Sequence, residues 1–332
     1  MALLFLGFVL GALLTGAIRM AVSKMHMLDV PGERSSHTLA TPRGGGVSII
    51  LIAIVGGVLL LPVQTVWPIL LSALWVGCVG LYDDYRQASR RLRLIVQLLS
   101  AAVAVFCIRP EALSLSGWLL TGVWLWLLLL VWFVWCTNLY NFMDGINGLA
   151  ALEAISVLLS LCFLLGVEYT ELAHYFLLLA GAVFGFLLWN FPNAKIFMGD
   201  SGSAFLGALF AALSVYFVAT NAVMFWALLI LMGVFVVDST CTLLRRAILR
   251  QAIFNAHRTH AYQYSARALQ SHTKVTLLAV VVNVCWLLPW AVAVVVGSVS
   301  GVVGLLVAYT PLVSIALRLK AGKPEKETVG QH

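Results

Sequence analysis

Apolar residues in this chain come in long unbroken runs, without the alternation of a half-buried strand or the single stripe of a surface helix. The runs fall at 2–22, 46–63, 65–82, 92–108, 116–137, 148–167, 172–190, 202–219, 222–243, 275–296 and 298–317. Each has roughly 17 to 22 residues, enough for a helix to cross a hydrocarbon layer about 30 Å thick. Spanning helices satisfy their own backbone hydrogen bonds, so runs joined by short polar loops predict an all-α polytopic membrane bundle of about 11 transmembrane helices. Residues 1–319 are expected to form one transmembrane domain, followed by a disordered cytoplasmic tail at 320–332, where charge, glycine and proline gather. Nothing basic precedes the first run and no small-residue cleavage region follows it, so a membrane span is expected there and not a leader peptide.

Composition points the same way: at 62% hydrophobic and 10% charged, the 332 residues carry more apolar surface than a water-soluble core can hide. The six cysteines fall one to a run, with no spacing of a zinc site or disulfide framework. A net charge of +7 is of the sign that attracts nucleic acid, but the basic residues are scattered in loops and form no basic domain, so no nucleic-acid partner is expected. Their placement sets orientation instead. With the N-terminus in the periplasm, every Lys and Arg except Arg109 falls on the cytoplasmic side, and the C-terminus falls there too. All six aspartates (Asp29, Asp83, Asp84, Asp144, Asp200, Asp238) share that side, although orientation places little constraint on acids. Their clustering asks for a chemical cause.

Five cytoplasmic segments carry candidate chemistry. The third run ends in Asp83-Asp84, followed by Arg90, Arg91 and Arg93; adjacent carboxylates can raise one pKa to that of a base, or bind a hard cation, where a lone pair of acids would simply be a solvated helix end. Asn138-Leu-Tyr-Asn141-Phe-Met-Asp144-Gly-Ile-Asn147-Gly has turn-forming residues, but more amides and acids than a turn needs. In Asn190-Phe-Pro-Asn-Ala-Lys195-Ile-Phe197-Met-Gly-Asp200-Ser-Gly-Ser, glycines and serines at a helix start suit phosphate, and Asp200 suits magnesium or serves as a helix cap. The fourth cytoplasmic loop holds Asn255-Ala-His257-Arg258-Thr-His260, where the histidines share a helical face and could meet phosphate; zinc is the weaker reading without a third histidine or a cysteine. The first loop, from Asp29 through Pro42-Arg43-Gly44-Gly45-Gly46, permits close backbone approach to a ligand or another helix. Acids, arginines, histidines and glycines on one face are the composition of a magnesium-dependent diphosphate site.

In this order, the Pro-Arg-Gly-Gly-Gly loop, the Asp83-Asp84 pair, Asn-Phe-Met-Asp-Gly-Ile-Asn-Gly and Phe-Met-Gly-Asp-Ser-Gly-Ser resemble the polyprenyl-phosphate N-acetylhexosamine-1-phosphate transferase superfamily, of glycosyltransferase family 4 type, from Asp29 to Gln263. The resemblance implies a bacterial inner-membrane enzyme, active at the cytoplasmic face, that moves a sugar 1-phosphate from a UDP-N-acetylhexosamine to undecaprenyl phosphate and releases UMP. It implies Mg2+, or Mn2+ in its place, held by Asp200 with Asp144 and Asp84. The implied catalytic set is Asp83, Asp84, Asp144, Asp200, His257 and His260, with Arg43, Asn141, Asn147, Lys195, Phe197 and Arg258 around the donor and Phe197 against the uracil. Membrane lipids are further partners, and a homodimer is a further expectation. The peptidoglycan branch has a run of adjacent histidines and a second acid where this chain has Asn147. The chain therefore looks more like the branch that starts O-antigen, with an N-acetylated hexosamine or 6-deoxyhexosamine donor. A transporter, with polar groups at midplane in broken helices, and a transferase of CDP-activated alcohols, with spaced aspartates on one helix, both fit the pattern less well.

Overall fold

The computed structural model describes residues 1–25, 27–29, 40–166, 169–252 and 257–323. The loop residues 30–39, Asn255 and the tail from 324 lie outside the described residues. The chain is an α-helical bundle with two short hairpins. In order come α1 (Ala2–Lys24), β1 (Leu28–Asp29), β2 (Thr41–Pro42), α2 (Gly46–Leu60), α3 (Val63–Arg86), α4 (Arg90–Ile108), β3 (Ala112–Leu115), β4 (Trp118–Thr121), α5 (Gly122–Phe142), α6 (Leu149–Leu164) and α7 (Thr170–Asn190). There follow α8 (Gly199–Thr220), α9 (Ala222–Leu231), α10 (Gly233–Ile248), α11 (Ala261–Ala268), α12 (His272–Val282), a π-helical turn (Asn283–Leu287), α13 (Leu288–Val295) and α14 (Gly301–Arg318).

Every apolar run coincides with a helix or a helix with a break. Among the described residues eight helices are long and apolar enough to cross a membrane, nine if α9 and α10 count as one span, and α2 and α6 are shorter apolar helices. The run at 222–243, expected as one straight span, is bent by 68° between Leu231 and Gly233. The run expected to start at 116 starts as a helix only at 122, because the antiparallel pair β3–β4 takes its first residues. Residues 320–323, placed in the tail by the sequence, are packed against the bundle: Ala321 is buried, its carbonyl accepts from Arg245, and Gly322 N–H donates to Thr259 O.

Helix α8 is the axis, buried along nearly its whole length. Small residues let other helices reach it. A Cβ on Gly80 of α3 would lie 2.3 Å from Asp200 O, and one on Gly46 of α2 would lie 2.1 Å from the Gly202 Cα. Such approach substitutes for the hydrophobic drive that helices lack inside lipid. It brings the ends of α2, α3, α5 and α8 together at one pole, where the motifs lie.

Candidate active site

Two aspartates at this pole cap helices other than their own. Gly199, at φ +78°, turns the chain into α8, and no side chain near it supplies a cap. The orphan N–H groups of Asp200 and Ser201 instead donate to Asp84, at 2.9 and 3.1 Å. Arg43 donates to the same carboxylate through Nε (2.9 Å) and Nη2 (2.6 Å), and the Asp84 side chain is fully buried. The sequence marks Asp84 as a catalytic residue and metal ligand; the structure fills its oxygens with four donors, which makes it the fastening of α8 to α3 and to the first loop. In the same way Asp238 of α10 accepts from Ala261 N (2.8 Å), Tyr262 N (2.9 Å), Thr242 Oγ1 (3.0 Å) and His260 Nδ1 (3.3 Å), and so anchors α11.

The first loop is stitched to the segment before α8. Phe197 N–H donates to Pro42 O, and Gly45 and Gly46 N–H donate to Phe197 O and Met198 O, at 2.8 to 2.9 Å. Arg43 and Phe197 thereby become neighbours on the wall of a cavity of about 260 Å3. Asn141, Asp144, Asn147 and Asp200 line it too. Asp200 lies within 3.5 Å of Arg43 Nη2 and 3.4 Å of Arg93 Nη1, and Arg93 also reaches Asp83 at 3.1 Å. Arg43, Asp200, Arg93 and Asp83 thus form a chain of alternating charge that leads out of the cavity, since Arg93 lines the neighbouring cleft and Asp83 lines neither space. Burial first, and then the neighbouring Asp200 and Asp84 carboxylates, push the Asp144 carboxyl well above its ordinary range. For Arg43, burial opposes the charge, but Asp84 and Asp200 outweigh it and hold the guanidinium above its usual value.

Among the described residues no group of three His, Cys, Asp or Glu is arranged as a ready-made metal cage. Magnesium does not need one, since it takes one or two carboxylates and completes its shell with water and substrate phosphate. Asp144 and Asp200 on one cavity wall fit that pattern. Asn141 donates its N–H to Ser203 Oγ at 3.0 Å, so the amide's other pole is an oxygen of the kind a hard cation accepts. A narrower cleft between α3, α4 and α5 meets the cavity at Asn141 and Asp200; Val76, Val79 and Val96 line it, with a Gln97–Asn138 amide pair at 2.8 Å.

Three expected groups stand elsewhere. Lys195 is exposed, with Nζ 5.8 Å from the centre of the Trp189 ring, and is absent from the cavity wall. His260 is buried and stacks on His257, ring centres 5.0 Å apart, and neither lines the cavity; nor does Arg258, which is half-buried. Burial, and then His260 and Arg246, lower the His257 pKa to about 4, so it is neutral at neutral pH. In their place the cavity is lined by Gln263, at the start of α11, and by His272, at the start of α12. The sequence offers one sign of His272: Ser271 before it is a helix cap whose hydroxyl accepts from Lys274 N–H, which puts residue 272 at a helix mouth. Asp29 and Asn190 complete the wall.

Residues 66–218 match the family model described as "Glycosyl transferase family 4". A probable undecaprenyl-phosphate N-acetylglucosaminyl 1-phosphate transferase of Bacillus subtilis is 29% identical over 75% of this chain and 72% of its own length. The decaprenyl-phosphate N-acetylglucosaminephosphotransferase of Mycobacterium tuberculosis is 30% identical over 80% of this chain and 75% of its own. A phospho-N-acetylmuramoyl-pentapeptide-transferase of a Synechococcus species is 34% identical, covering 69% and 68%. This chain belongs to glycosyl transferase family 4, in the superfamily of polyprenyl-phosphate hexosamine-1-phosphate transferases.

Proposed function

We propose that the protein transfers an N-acetylated hexosamine or 6-deoxyhexosamine 1-phosphate from a UDP-sugar to undecaprenyl phosphate, at the cytoplasmic face of the bacterial inner membrane, as the step that starts O-antigen or a similar surface polysaccharide. The observation that carries this reading is the meeting of two spaces at Asp200: a polar cavity with Asp144, Arg43 and Phe197 on its wall, and a valine-lined cleft suited to a lipid-borne acceptor. The names of the relatives supply the reaction class.

In the proposed reaction an oxygen of the lipid phosphate attacks the phosphorus that bears the sugar. A new P–O bond forms there, the bond from that phosphorus to the bridging oxygen breaks, and the electron pair leaves with UMP. Such transfers depend on alignment and charge neutralisation and need no protein nucleophile. Arg43 and Arg93 flank the reacting phosphates, and Phe197 offers a face to the base. Bound Mg2+ or Mn2+, held by Asp144 and Asp200, would supply the positive charge that the donor diphosphate requires. Asp84 would keep α8 and Arg43 in register.

Asn147, Gln263 and His272 are uncharged or weakly basic members of the lining, and among the described lining residues Arg43 is the only Lys or Arg. That favours an uncharged sugar over one carrying a peptide with several carboxylates. The test is UMP release from a panel of UDP-N-acetylhexosamines by purified protein with undecaprenyl phosphate, with and without Mg2+. Release that needs lipid and metal and disappears in Asp200→Asn is expected; no release from any donor by folded protein sinks the reading.

A further inference from the structure

Glu153 lies on α6 a turn and a half beyond the Asp144–Asn147 loop and is 2% exposed. It faces Asn283, 3% exposed, the first residue of the π-helical turn between α12 and α13. Asn283 Nδ2 stands 2.6 Å from Glu153 Oε2, while Glu153 Oε1 and Asn283 Oδ1 are buried with no hydrogen-bond partner. An ionised carboxylate would leave a charge in the apolar interior and both those acceptors unfilled, a costly arrangement. A single proton removes every difficulty. The neutral acid donates its O–H to the amide oxygen, the amide donates N–H to the acid carbonyl, and the two bonds close a ring. Exchanging the amide's O and N leads to the same result, since it sets two oxygens 2.6 Å apart, a distance proper to O–H···O and possible only with a proton between them.

Among the described residues no other group fills the gap. Tyr140 of α5 and Tyr309 of α14 lie within electrostatic reach of Glu153, but Tyr140 donates to Ala150 O at 2.7 Å and Tyr309 donates to Leu229 O. We propose that Glu153 is carried as the neutral carboxylic acid and forms with Asn283 a closed acid–amide pair that fixes α12 against α6, so positioning the α12 wall of the cavity. About two turns nearer the cavity, Thr276 Oγ1 of α12 donates at 3.0 Å to the carbonyl of Asn147, in the loop that leads into α6. His272, one turn above Thr276, lines the cavity. The π turn, a geometry often found near functional sites, sets Asn283 at the deep rung of this two-rung ladder. Glu153 is a positioning residue: it acts on the site through α12.

The test is an infrared difference spectrum of the full-length protein, wild type minus Glu153→Gln, at neutral pH, which needs no substrate. A protonated carboxylic-acid carbonyl band present in wild type and missing in the variant is expected; an ionised carboxylate band overturns the proposal. Activity supplies a second readout. Glu153→Gln gives a Gln–Asn pair with both bonds made and no proton needed, so kcat/KM should stay within about twofold of wild type, whereas Asn283→Leu, which strands the acid, should lower it about tenfold. Equal damage from the two variants would also overturn it. Because the spectrum is independent of turnover, a negative result there is separable from a failure of the transferase reading.

Discussion

At the scale of the residue, the aspartates that look alike in the sequence have unlike duties. Asp84 is fully buried and joined to Arg43 and to two N–H groups of α8, so its removal leaves a half-buried guanidinium without its main counter-charge and a helix end without its cap. Asp84→Ala should cost about 3 kcal/mol, read as a lowered thermal midpoint in detergent. Asp200→Asn, a change at a partly exposed cavity carboxylate whose arginine contacts are long, should leave the midpoint nearly unmoved while abolishing turnover. Equal loss of stability in both would refute the division. His257 gives a pH prediction. Its pKa falls from 6.5 to about 4 on folding, so the unfolded chain binds the extra proton between those values, and stability is complete above pH 6.5 and declines as pH drops toward 4. The acid-side fall in thermal midpoint should therefore be shallower in His257→Gln than in wild type; identical curves would refute it. The adjacent acids, the amide-rich turn and the Gly-Asp-Ser-Gly helix start were all legible in the sequence, because orientation does not call for acids at span ends and a turn does not call for so many amides. The commitment of Asp84 to a helix two motifs away was not, since a remote cap leaves no local pattern.

At the scale of the element, hydropathy located each helix but not its shape. A window average registers length and polarity, so it found 222–243 and missed the 68° bend, and it read Trp118–Thr121 as membrane because those residues are apolar even in a hairpin. The short helix α11 was invisible for the same reason, having no apolar run. Yet α11 closes one side of the site. It is held by Asp238 at its start, and Tyr262 donates to Phe142 O at 2.9 Å while a Cβ on Gly145 would lie 2.1 Å from the Tyr262 hydroxyl. Asp238→Ala removes four hydrogen bonds from that corner at once. Hydrogen exchange should rise selectively over 257–271, and KM for the nucleotide sugar should rise several-fold with less change in kcat, since the wall loosens while the Asp144 and Asp200 floor stays. Uniform exchange across the whole bundle would mean that Asp238 supports the fold at large and not this element.

At the scale of the molecule, the bundle has two unlike poles, and the charge asymmetry of the sequence predicts which faces the cytoplasm. The site is assembled from the ends of α3, α5, α7 and α10 and the starts of α2, α6, α8, α11 and α12, which the packing around α8 gathers at one pole. Among the described residues that pole carries every Lys and Arg except Arg109. The other carries the β3–β4 hairpin, with Arg109 and Glu111 just before it. If the retention of basic loops governs insertion, the hairpin faces the periplasm and the α11–α12 turn the cytoplasm. Ser116 and Gln270 are both exposed and lie at these opposite ends. In intact cells a membrane-impermeant maleimide should label Ser116→Cys and spare Gln270→Cys until the membrane is opened, with each compared against the parent chain, whose own six cysteines set the background. The reverse pattern would put the site in the periplasm, away from the cytoplasmic pool of nucleotide sugars, and the proposed reaction would lose its donor.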